Sequence, residues 1–95
     1  MRDLLHTVLR DYFRSELLKT HHNTEGMTQE RMASILEMST RAYADLESGK
    51  SCCSAETLVL YLRRLCPDAQ AFFSCLYEKI EEAMRSADEN ALNGF

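Results

Sequence analysis

The four cysteines and three histidines of this 95-residue chain are its candidates for metal, disulfide or nucleophilic chemistry. Cys52 and Cys53 are adjacent, and so are His21 and His22, whereas the ligands of a zinc site are usually spaced two to five residues apart. Adjacent residues on a helix point about 100° apart and rarely bind one ion. A disulfide framework needs an oxidising compartment, and we expect no secretory signal at the start of the chain. We therefore expect reduced thiols that pack as small hydrophobes, solvated loop histidines, and no metal or cofactor.

The spacing of these residues does not indicate a catalytic site. No serine or cysteine stands in a pattern that sets a nucleophile beside an orienting base, and no glycine-rich segment suits a phosphate cradle. The sequence predicts a protein that is not an enzyme.

The composition indicates which elements carry the remaining side chains. Hydrophobic residues form 45% of the chain and charged residues 27%, which suits one small soluble domain rather than a disordered chain. One proline and three glycines argue against a sandwich or barrel, because the tight turns of such folds require both. No apolar run approaches the length of a membrane span. An all-α fold is expected.

The net charge of −4 is distributed unevenly. Residues 1–66 contain nine Lys or Arg and nine Asp or Glu, whereas residues 67–95 contain two and six. The first two-thirds of the chain can therefore approach a polyanion without net repulsion, but also without strong steering.

Helical periodicity and capping residues divide the chain into five helices. Thr28, Ser39 and Ser54 are candidate N-caps, and Gly49 is a candidate C-cap. Residues 20–26 read as a loop, Pro67 as the start of the last helix, and residues 88–95 lose the periodicity. The predicted helices span residues 3–19, 29–36, 40–48, 55–65 and 67–87.

Residues 27–50 form two short helices joined by a short turn, which is the architecture of a helix-turn-helix. Within and around this segment, a set of residues recurs at characteristic spacing: Gln29-Glu30, Ala33, Leu36, Ser39, Leu46-Glu47 and Gly49. This pattern resembles the Cro/repressor-type (XRE) family, and the resemblance extends over about residues 4–66. The resemblance implies a five-helix repressor-like fold, in which residues 1–66 form the repressor-like domain and its helix-turn-helix spans 28–48. An acidic amphipathic helix, 67–95, is expected to complete the same compact unit.

The resemblance also implies which residues contact DNA. Carried over position by position, the residues that read base edges are Thr40, Arg41, Ala44 and Asp45. Those that contact phosphates are Gln29, Ser39, Ser48, Lys50 and Ser51. Arg41 suits guanine, Asp45 suits the cytosine amino group, and Ala44 suits a thymine methyl.

Several positions depart from the family pattern. Glu37 occupies a turn position usually held by glycine, where a left-handed backbone costs roughly 1 kcal/mol more than with glycine. Asp45 and Ser48 replace residues that are often basic, and Ile35 replaces a polar one. We therefore expect weak nonspecific affinity for DNA.

The last predicted helix carries an apolar stripe that serves as core, as a dimer interface, or as both. We expect both: part packs on the first helix and the rest pairs two subunits. The predicted interface residues are Phe72, Phe73, Leu76, Ile80 and Met84.

The resulting hypothesis is a cytoplasmic bacterial or phage transcriptional regulator that binds double-stranded operator DNA as a homodimer on a palindromic site. The alternative is a protein-interaction module on a repressor fold, antitoxin-like or anti-repressor, with weak or lost DNA binding. The net acidity, Glu37, Asp45 and Ile35 motivate this alternative.

Overall fold

The computed structural model describes residues 1–93 of the chain and the side chains of residues 1–89. Its helices are α1 (Arg2–Asn23), α2 (Gln29–Ile35), α3 (Thr40–Ser48), α4 (Ala55–Arg64) and α5 (Ala69–Asn93). No strand occurs within this part of the chain, so the predicted all-α fold of five helices is confirmed. None of these helices is both long and apolar enough to span a membrane.

Short-range capping chemistry sets the starts of α2, α3 and α4. The side-chain oxygens of Thr28, Ser39 and Ser54 each accept a hydrogen bond from the backbone N–H three residues later, at 3.1, 3.1 and 3.2 Å. Each bond satisfies a donor that the first turn of a helix leaves unpaired. Gly49 follows α3 in the left-handed conformation, with φ 83°. All four predicted caps are confirmed.

Three predicted helix boundaries were wrong, one in α1 and two in α5. Helix α1 continues through Asn23 instead of ending at residue 19, and the Thr20 hydroxyl in its added turn lies 3.0 Å from the Tyr61 hydroxyl. Helix α5 begins at Ala69 rather than at Pro67, because Asp68 accepts a hydrogen bond from the Ala71 N–H at 3.1 Å. It also continues to Asn93, although residues 88–95 lack apolar periodicity. Residues 94 and 95 lie outside the described residues.

The core joins α5 to α1 through aromatic side chains. The rings of Tyr12 and Phe72 meet edge to face with centroids 5.1 Å apart, and the Tyr12 hydroxyl donates to the Phe72 carbonyl at 2.8 Å. Phe13 packs against Tyr61 of α4 in a similar way, at 5.3 Å. These contacts bury apolar area, which is the main favourable contribution to folding. The expected packing of the last helix on the first is confirmed.

Two residues of the predicted dimer interface were assigned wrongly, because they are buried within their own chain. Phe72 and Leu76 are only 4% and 8% exposed, and both belong to the core of their own chain. They therefore have almost no surface to offer a second subunit. Phe73, by contrast, is 48% exposed, while Ile80 and Met84 are half-buried.

Candidate nucleic-acid interface

Helices α2 and α3 pack against each other across a four-residue turn, residues 36–39. Ala33 and Leu36 are buried beneath this turn, and the Met38 N–H donates to the Ala33 carbonyl at 3.0 Å. The small side chain of Ala33 lets the two backbones approach closely. This fixed pair of helices is the helix-turn-helix that the sequence predicted.

Glu37 has a left-handed backbone in the middle of the turn, with φ 58°. The structure confirms the expected left-handed backbone at this position, which glycine adopts more easily than glutamate. Sequence reasoning missed the residue that accommodates this glutamate. Arg64, at the end of α4, places Nη1 2.8 Å from Glu37 Oε2 and donates to the Ile35 carbonyl at 2.9 Å. The one signal in the sequence for a cationic partner was the carboxylate of Glu37 at a turn position usually held by glycine.

The residues expected to read base edges share the outer side of α3. Thr40 and Arg41 are exposed, whereas Ala44 and Asp45 are half-buried. Tyr43 and Leu46 hold the opposite side of the helix in the core. Among residues 1–89, Arg41 forms no ion pair within 4.0 Å, so its guanidinium is available to a ligand.

The residues expected to contact phosphates lie at the two ends of this surface. Ser48, Lys50 and Ser51 are exposed and Gln29 is half-buried. The backbone N–H groups of Lys50 and Ser51 both donate to the Asp45 carbonyl, at 2.9 and 3.2 Å. Only the side chains of these two residues therefore remain free to contact a phosphate.

The charge of the helix-turn-helix is nearly balanced. Residues 28–51 contain three cationic residues, Arg31, Arg41 and Lys50, and four acidic ones. Arg64 pairs with one of the acids, Glu37, and His21 lies against another, Glu47. No continuous basic strip runs along the described surface of α3. Arg41 and Lys50 are isolated cations, one in the first turn of α3 and the other just after its C-terminus.

The C-terminal end of α3 is fixed to α1. Arg14 Nε donates to the Glu47 carbonyl at 2.8 Å, and His21 Nδ1 lies 3.0 Å from Glu47 Oε2. A Cβ atom at Gly49 would lie 3.3 Å from Arg14 Cδ, so glycine gives the arginine room. His21 is thus half-buried in a helix, and the expectation of a solvated loop residue was wrong for it.

Comparison with known proteins supports this interpretation of the geometry. Residues 23–65 match the family model described as helix-turn-helix, a segment that contains α2, α3 and α4 in full. The predicted resemblance to Cro/repressor-type proteins is confirmed for this segment. Searches of curated proteins and of solved structures return no significant match.

Proposed function

Because residues 23–65 form a Cro/repressor-type helix-turn-helix, a DNA-binding regulator unit, we propose that this protein is a cytoplasmic regulator that recognises specific operator sequences. Helix α3 enters the major groove and presents Thr40, Arg41, Ala44 and Asp45 to base edges. Gln29, Ser39, Ser48, Lys50 and Ser51 orient it on the phosphates.

The observation that carries this proposal is the exposed guanidinium of Arg41, which forms no ion pair with residues 1–89. It extends from the first turn of a helix whose start is fixed by the Ser39 cap and whose end is fixed to α1. A rigid support reduces the entropy lost when a side chain binds. An arginine held in this way suits the paired acceptors O6 and N7 of guanine.

The test is to select operator DNA from a random pool and to measure binding of the Arg41→Ala variant by gel shift. Loss of a bidentate contact of about 1–3 kcal/mol predicts an affinity roughly 5- to 150-fold weaker, with relaxed preference at one base pair. Arg63→Ala is the matched control, because Arg63 is an exposed arginine on α4. Equal affinities of the two variants would contradict the assignment of α3 as the reading helix.

A homodimer on a palindromic operator is the form of this regulator that we propose. Phe73 and Tyr77 are 48% and 63% exposed on one side of α5. Ile80 and Met84 continue the same side at helical spacing. Large exposed apolar side chains that are contiguous mark protein–protein contacts. Two subunits joined through this side can present two reading helices to successive major grooves.

Sedimentation at micromolar concentration tests the dimer. We expect Phe73→Glu to yield a folded monomer, because a charge would be buried in the apolar interface. Ser86→Glu adds a similar charge on another side of α5 and is expected to leave the dimer intact. A wild-type monomer at every concentration would remove the argument for a palindromic operator.

The near balance of charge favours a second candidate, a protein-interaction module on the repressor fold in an antitoxin-like or anti-repressor role. Few free cations line α3, and nonspecific DNA affinity depends on cations that release counterions. A random pool that yields no enriched sequence, with no binding even at low salt, would favour this module. Enrichment of one sequence would favour the regulator.

A further inference from the structure

The last turns of α1 and α3 bring together two histidines and a glutamate that are far apart in sequence. His21, His22 and Glu47 each offer a nitrogen or oxygen atom, and these three atoms all lie within 4.8 Å of one another. His21 Nδ1 is 3.0 and 3.2 Å from the two Glu47 oxygens. Adjacent side chains leave a helix about 100° apart, but here the His21 and His22 rings lie with centroids 5.3 Å apart, so a nitrogen of each lies near Glu47.

The buried Tyr43 hydroxyl lies beside this cluster without a hydrogen-bond partner among residues 1–89. Tyr43 is 0% exposed, and its Oη forms no hydrogen bond with any described residue. Its ring packs edge to face against His21 with centroids 6.4 Å apart. The Glu47 carboxylate lies near this hydroxyl, and burial together with that carboxylate raises the pKa of Tyr43. An unsatisfied buried hydroxyl costs free energy and requires an explanation.

We propose that His21, His22 and Glu47 bind a divalent metal ion of the zinc class. Two imidazole nitrogens and one carboxylate oxygen are a donor set that zinc accepts, with a fourth position left open to water. Magnesium and calcium prefer shells of oxygen ligands alone. Ligand atoms around one tetrahedral zinc ion are about 3.3 Å apart, given bonds of about 2.0–2.1 Å. The three atoms lie within 4.8 Å of one another, and the exposed His22 imidazole is free to rotate towards that spacing.

The Tyr43 hydroxyl acquires a role in this site. When one Glu47 oxygen binds the ion, the other can accept a hydrogen bond from Tyr43. Metal-bound carboxylates are commonly oriented by such outer hydrogen bonds. Tyr43 would thereby act as a positioning residue for Glu47, and its hydroxyl would gain the partner that it lacks among the described residues.

The bound metal would link the last turn of α1 to the C-terminal end of α3. These two segments lie far apart in the sequence. His21 and His22 lie in the last turn of α1, whereas Glu47 is the penultimate residue of α3. A ligand that binds only the folded chain stabilises it in proportion to the logarithm of its concentration. For a domain of this size, zinc at a hundredfold excess over its Kd is expected to raise the Tm by roughly 10 °C.

The experiment is a calorimetric titration of the untagged full chain with zinc, in a reducing buffer that does not bind metal. We expect one ion per chain, and at least tenfold weaker binding by His22→Gln, since removal of one of three ligands costs at least as much as the loss of an outer partner. His22 is exposed, so its substitution leaves the fold intact. His6→Gln is the matched control, because His6 is an exposed histidine at the other end of α1.

Cobalt substitution separates this site from the four cysteines. Cobalt bound to nitrogen and oxygen gives only weak visible bands, whereas a thiolate ligand adds an intense near-ultraviolet charge-transfer band. Weak bands that disappear in His22→Gln support the proposal. Zinc affinity unchanged in His22→Gln, or a thiolate band in the wild type, would overturn it.

Discussion

At the residue scale, Glu37 carries the clearest local strain among the described residues. A left-handed backbone costs an L-residue roughly 1–2 kcal/mol, and Glu37 adopts it with φ 58°. Its ion pair with Arg64 joins side chains that are 60% and 42% exposed, and exposed pairs contribute at most about 1 kcal/mol. The pair therefore offsets part of the strain without removing it.

Comparing glycine and alanine at position 37 isolates the backbone cost. Both substitutions remove the carboxylate, but only glycine adopts a positive φ freely. We expect Glu37→Gly to exceed Glu37→Ala by about 1 kcal/mol in the free energy of unfolding, measured with urea. At the exposed helical position Glu82 the order is expected to reverse, since alanine favours a helix by about 1 kcal/mol over glycine. The same order at both positions would contradict the strain at Glu37.

Cys53 is the second residue whose environment predicts a measurable property. Burial, with a smaller effect of the neighbouring Cys52, raises the pKa of the Cys53 thiol from 9.0 to about 11. Because the thiolate is the reactive form, folding reduces its fraction at pH 8 by about 100-fold. A folded-state pKa that is raised also means that this site favours folding below pH 9 and loses that contribution as the pH rises through 11.

Alkylation with iodoacetamide at pH 8, followed by tandem mass spectrometry, checks this prediction. Cys53 is expected to react far more slowly than the exposed Cys75 and to accelerate as the pH approaches 11. In urea the two rates are expected to converge. Equal rates in the folded protein would show that the Cys53 thiol is not shielded.

At the scale of the elements, capping contributes to the stability of α3. The Ser39 side chain accepts from the Ala42 N–H at 3.1 Å, and loss of such a cap typically costs about 1 kcal/mol. We expect Ser39→Ala to lower the free energy of unfolding by that amount. Ser51→Ala is the control, since Ser51 is exposed just beyond the helix, and its effect is expected to stay within about 0.5 kcal/mol. Equal effects would show that the cap adds nothing.

Helix starts could be predicted from the sequence wherever local chemistry decides them. Thr28, Ser39 and Ser54 satisfy donors only three residues away, so their role is visible in a short window. The added turn of α1 could not be predicted, because Thr20 and His21 are held by Tyr61 and Glu47, from distant parts of the chain. From the sequence alone, a polar segment whose partners are this remote is interpreted as a loop.

In the candidate site, too, features set by nearby residues could be predicted from the sequence, whereas those set by distant residues could not. The places of Thr40 and Arg41 on α3 follow from helical spacing within one short segment. The partners of Glu37 and Glu47 could not be predicted, because Arg64 and His21 lie 27 and 26 residues away in sequence. Adjacent Phe72 and Phe73 likewise share one apolar stripe, yet only the packing of α1 decides which one is buried.

At the scale of the whole molecule, α5 contributes buried side chains to the core and is not an appendage on its surface. Phe72 and Leu76 are buried together with Tyr12, Phe13 and Tyr61 of α1 and α4. Loss of one buried phenylalanine side chain alone costs about 3–5 kcal/mol, a large part of the roughly 5–10 kcal/mol expected for a domain of this size. The helix-turn-helix therefore depends on α5 for its stability.

Truncation tests this dependence. A chain of residues 1–66 is expected to lack a cooperative thermal transition, as followed by circular dichroism, because it loses both apolar anchors of α5. A chain of residues 1–89 retains both anchors and is expected to melt cooperatively. A sharp transition in the shorter chain would show that the first four helices form an independent domain.

Gly49 has a consequence for anyone who wishes to redirect the protein to a new sequence. Its left-handed backbone and the nearby Arg14 side chain close this position to larger residues, and the Glu47 carboxylate contacts His21 of α1. A randomised library across α3 must therefore leave these two codons constant. Diversity belongs at Thr40, Arg41, Ala44 and Asp45, where new side chains can be sampled without disturbing the scaffold.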